Sequence, residues 1–145
     1  MIVTVHGSAA GFEQHITVGR HRLTADEPIA SGGTDAGPNP YDFLLAALGS
    51  CKSMTIGMYV RRKQWPLEAV TVHLRHSRKH EADCEACETT PVLLDHIDCE
   101  IELTGTLSDE QQARILEIAD KCPVHRTLTS KIHIQTRLAH KPSGH

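Results

Sequence analysis

Hydrophobic and polar residues alternate in three short stretches near the start of the chain, Ile2 to Val5, Gln14 to Val18 and His21 to Thr24. Turn residues separate them, so the pattern predicts a β meander. Residues 28–40 have turn formers throughout and no periodicity, which predicts a surface loop. Asn39-Pro40-Tyr41-Asp42 then has the form of a helix start, with an N-cap, a proline at the first helical position and an acid in the first turn. From Phe43 to Val60 the apolar residues lie all round the wheel, so the pattern predicts a central helix buried on nearly all sides. Gly49 and Gly57 inside it imply close approach of another backbone. Val70, Val72 and Leu74, and later Ile97, Cys99, Ile101 and Leu103, alternate with polar residues as two half-buried strands. They form a hairpin whose connection is His76 to Asp95. Ser108-Asp109-Glu110-Gln111 starts a second helix, about Asp109 to Lys121, with Ala113, Leu116, Ile118 and Ala119 as its apolar face and Pro123 as its stop. Ile132, Ile134 and Thr136 predict a closing strand, with a frayed tail from Ala139 to His145.

At 145 residues this is one α+β domain, residues 1–145, with room for a core that needs no cross-links. No apolar run near the roughly 20 residues of a membrane span stands out, so no membrane association is expected. A net charge of −3 argues against a nucleic-acid surface. Protonating the 11 histidines would move it to +8, a matter of solubility. Residues 1–6 carry no basic segment leading into a long apolar one, so a cytoplasmic location is expected. Five cysteines, an odd number, point to free thiols, redox chemistry or metal ligation.

Each candidate has two readings. Cys51, mid-helix after Gly49-Ser50, is either a small core hydrophobe or a nucleophile. Lys52 or an approaching Arg could lower the thiol pKa, although Lys52 points about 100° away round the helix. Cys122, in Cys122-Pro123-Val124-His125-Arg126, is either a packing residue or a second redox thiol beside an acid–base histidine. His76, His80, Cys84 and Cys87 have the residue types and spacing to wrap one Zn. The same residues also fit a local disulfide or a solvated loop. Cys99 reads as core.

Gly37-Pro38-Asn39-Pro40, the helix-borne Cys51, the hairpin and the distal Cys122-Pro123 together resemble the OsmC/Ohr family in order and spacing from about Val3 to Leu138. The resemblance implies an OsmC-like fold, antiparallel sheets wrapped around a long central helix in an intertwined homodimer. It also implies a thiol-dependent peroxidase for organic hydroperoxides, with Cys51 peroxidatic, Cys122 resolving, a dithiol reductant and no cofactor. The family's Glu after Asn-Pro is Tyr41 here, with an acid only at Asp42. Its thiolate-stabilising Arg is absent from residues 1–19, leaving Arg20, Arg22 and, from the other end, Arg126 as candidates beside His125. The rival reading is a non-catalytic protein whose dimer cleft binds a small apolar or thiol ligand and whose loop binds metal.

Overall fold

A computed structural model describes residues 1–80 and 93–139. The meander forms as expected: β1 (Val3–Gly7), β2 (Gln14–Val18) and β3 (His21–Ala25) make an antiparallel sheet in that order. Val3 pairs with Val18, and Val18 with His21. The following loop holds a single 3-10 turn, Ile29–Ser31, and closes on itself. Asp26, 2% exposed, takes donors from the loop backbone, and its own N–H donates to Pro38 O at 3.0 Å. Gly37 is required there, because a Cβ would collide with the Thr24 carbonyl.

Helix α1 (Pro40–Lys63) starts on a complete capping box: Asp42 N–H donates to Asn39 Oδ1 and Asn39 N–H to Asp42 Oδ2. Arg61, Arg62 and Lys63 face its negative end before Gln64 turns left-handed at φ 58°. The helix is not buried on nearly all sides in this chain. Its buried residues are Leu48, Gly49, Lys52, Ile56 and Val60, one stripe at helical spacing, while Met54 and Met58 on other faces stay more than half exposed. Its length and a mean hydropathy of 1.4 over 18 residues would suit a membrane span, contrary to the sequence expectation. Here it is the core helix instead, packed on β4 with a charged Lys52 hydrogen-bonded inside the fold. Gly49 faces the Leu74 side chain, not a backbone, and a Cβ at Gly57 would meet the Arg61 guanidinium.

The hairpin is longer than its sequence pattern showed. β4 (Leu67–His80) pairs antiparallel with β5 (Leu93–Gly105), so His76 lies within a strand, opposite Ile97, and not in the connection. Helix α2 (Asp109–Ala119) has the expected Ser108–Gln111 capping box, but its buried face is Ile115, Ile118 and Ala119. Ala113 and Leu116 point outward. Pro123 opens a further helix, α3 (Pro123–Leu128), where a stop was expected, because proline's missing N–H is harmless at a first turn. Ile56, Val60, Ile115 and Ala119 form the core, with Tyr59, Trp65, Val70, Ile101 and Leu103 packed on it. No strand forms over 131–139, which has no neighbouring strand to pair with among the described residues.

Candidate functional site

The stripe that buries α1 also places its chemistry. Leu48, Lys52 and Ile56 follow at i+4, so Lys52 occupies a core-facing position between two apolar residues. Charged side chains are almost never fully buried unless paired. Lys52 is 2% exposed, and its Nζ donates to Ala119 O at 3.1 Å and Asp120 Oδ1 at 3.2 Å, with His125 Nδ1 at 2.9 Å.

Those partners belong to the end of α2 and the start of α3, the segment that carries Cys122. Cys122 is fully buried and caps α3, its Sγ accepting from the His125 N–H at 3.3 Å. Burial pushes its thiol above the usual value of 9.0. The His125 N–H opposes that rise, the neighbouring Cys51 thiol adds to it, and the Lys52 charge opposes it. Cys51, half-buried on α1, thus sits beside Cys122 although 71 positions separate them in sequence. Cys51, Cys99 and Cys122 are free thiols.

Lys52 and His125 also line a cavity of about 550 Å³, whose wall includes Tyr41, Leu48, His76 and Cys99 but neither Cys51 nor Cys122. Cys99 is therefore no simple core residue. Burial raises its thiol pKa, the Lys52 charge opposes this, and Asp98 and Asp120 add to it. Tyr41, where the resemblance places a Glu, stacks on the His76 ring with centroids 4.7 Å apart. His76 Nε2 lies 2.9 Å from Asp95 Oδ1, and that bond is the main reason the Asp95 carboxyl falls below its ordinary range.

The structure thus brings Cys51, Cys122 and His125 together. Asp42 is held in the helix cap, nine positions or about 13.5 Å along the axis from Cys51. Arg20 and Arg22 are exposed on the β2–β3 turn and on β3, and Arg126 is exposed on α3. Of the zinc set, His76 is engaged by Asp95 and Tyr41, whereas Cys84, Cys87 and the His80 side chain lie outside the described residues. Among the described residues no group of three or more His, Cys, Asp or Glu could hold a metal. Sequence reasoning weighed Lys52 only as a helper of Cys51 and missed its burial, and it passed over Asp120 and the cavity role of Cys99. The i+4 spacing of Lys52 with Leu48 and Ile56 was the available signal for the first; the others depend on contacts between distant segments.

Residues 32–137 match the family described as OsmC-like protein. Comparison with curated proteins finds no match. Among solved structures, an OsmC-like protein from Mycoplasma pneumoniae aligns over 96% of both chains at 18% identity and TM-score 0.69. An organic hydroperoxide resistance protein OsmC from Legionella pneumophila covers 88% of each chain at 19% identity and TM-score 0.63. One from Elizabethkingia anophelis covers 89% of each at 14% identity and TM-score 0.62. At these identities the likeness is one of fold.

Proposed function

This chain belongs to the OsmC-like protein family, and from that premise we propose that it is a thiol-dependent peroxidase acting on organic hydroperoxides. One observation carries the reading: Cys51 and Cys122, on separate helical segments, are neighbouring free thiols beside a buried cation, Lys52. That two of the related folds are named organic hydroperoxide resistance proteins supports the substrate class.

In this mechanism the Cys51 thiolate attacks the terminal oxygen of ROOH. The O–O bond breaks, the alkoxide takes up a proton and leaves as ROH, and the Cys51 sulfur is oxidised to a sulfenic acid. Cys122, as thiolate, attacks that sulfur; the S–S bond forms and the hydroxyl leaves as water after taking up a proton. A dithiol then reduces the disulfide by exchange and is itself oxidised. No cofactor enters these steps. The exposed side of α1 supports a homodimer as the working unit.

Cys51→Ser tests the reading, since serine is nearly isosteric but its hydroxyl stays protonated at neutral pH. It should abolish hydroperoxide consumption in a folded protein. Cys122→Ser should complete one turnover and accumulate a trappable sulfenic acid at Cys51. Unchanged turnover in Cys51→Ser removes this cysteine from the chemistry.

A further inference from the structure

Lys52 is an interior ammonium with three acceptors in reach, Ala119 O, Asp120 Oδ1 and His125 Nδ1, at 2.9 to 3.2 Å. An ammonium has three N–H groups and no lone pair, so it can only donate. His125 Nδ1 must therefore accept, which puts the ring proton on Nε2. The imidazole also lines the cavity. All three acceptors fall between Ala119 and His125, with Cys122 in the middle of that segment. Lys52 itself follows Cys51 in sequence. One side chain thus ties the helix position next to the first thiol to both flanks of the second. A well-packed apolar residue would fill the site without the desolvation cost of a charge, so stability alone does not account for a lysine here.

We propose that Lys52 is the positioning residue of the thiol pair: its ammonium sets the approach of Cys122 to Cys51 and holds His125 as the Nε2–H tautomer. This rests on the reading that Cys51 and Cys122 exchange electrons. Lys52 acts through Cys122 and His125; it is not itself a reacting group.

The test uses diamide, which takes two hydrogens from a thiol pair, leaves a disulfide and becomes a hydrazine, so no peroxide turnover is involved. In the wild type, ¹⁵N imidazole spectra should show His125 protonated at Nε2. Lys52→Met, of similar length and apolar, should lose that single tautomer. It should also slow diamide-driven Cys51–Cys122 disulfide formation on the order of 10- to 100-fold, the range expected for a misplacement of about 1 Å. A lost tautomer with an unchanged oxidation rate would overturn the positioning role. A wild-type His125 protonated at Nδ1 overturns it without any variant, even if Lys52→Met fails to fold. A wild type that forms the disulfide normally but consumes no hydroperoxide sinks the peroxidase reading and leaves Lys52 in place. Unchanged tautomer and oxidation rate in Lys52→Met sink the role of Lys52 whatever the peroxide assay gives.

Discussion

Four donors converge on the Asp26 carboxylate: the backbone N–H groups of Glu27, Thr34 and Ala36, and the Thr34 hydroxyl at 2.6 Å. The Thr34 hydroxyl, with the backbone bonds behind it, brings the pKa from 3.8 to about 2. Because the folded value is depressed, this stabilisation is complete above 3.8 and disappears as the pH falls through about 2. Asp26→Asn should therefore be less stable than wild type at pH 7, and the gap should close between pH 4 and pH 2. Urea midpoints at stepped pH check this; equal stability at pH 7 would deny the carboxylate its role in the loop. Cys122 gives a second pH dependence. Its thiol titrates above 9.0, so disulfide closure after sulfenic acid formation should speed up from neutral pH through that range. Stopped-flow resolution rates that stay flat with pH would contradict the assignment.

At the scale of elements, helix ends and one close contact govern stability. Ser108 Oγ accepts from Gln111 N–H at 3.1 Å and Gln111 Oε1 accepts from Ser108 N–H at 2.9 Å. Ser108→Ala should cost about 1 kcal/mol in equilibrium unfolding. In α1 a Cβ at Gly49 would stand 2.6 Å from Leu74 Cδ1. Gly49→Ala gains helix propensity of about 1 kcal/mol but forces the leucine aside, at roughly 1 to 3 kcal/mol. The clash should win in the wild-type background and vanish with Leu74→Ala. A double-mutant cycle with no coupling would show that the helix does not lean on β4 at this point.

At the scale of the whole molecule, one chain leaves much apolar surface uncovered. Met54 and Met58 on α1, Val3 and Val5 on β1, and Ile132 and Ile134 after α3 are each more than half exposed. The alternation of Ile132, Ile134 and Thr136 is that of a strand, yet no strand forms here. A second copy would cover the helix and offer these residues an edge. We therefore expect a homodimer whose unfolding midpoint rises with protein concentration. Sedimentation of a folded monomer at nanomolar concentration would contradict it.

Local pattern was enough for the meander, both helix starts, the hairpin and the long helix, because caps and periodicity act between residues close in sequence. The motif around Asn39-Pro40 and the Cys51 and Cys122-Pro123 pair carried the family in the same way. Which face of a helix is buried is decided by its neighbours, so the faces of α1 and α2 emerged only from packing: α1 shows one stripe, and α2 buries Ile115 while exposing Leu116. The end of β4 was also hidden, since pairing with β5 continues past the apolar alternation into His76. Most of the candidate site lies in this second class. The 71 positions between Cys51 and Cys122 say nothing about distance; their meeting is set by the packing of α1 against the α2–α3 corner. Lys52 looked like no more than a helper of Cys51 because sequence gives a charge no measure of its burial. Only the fold supplies the carbonyl, carboxylate and imidazole that let an ammonium leave water.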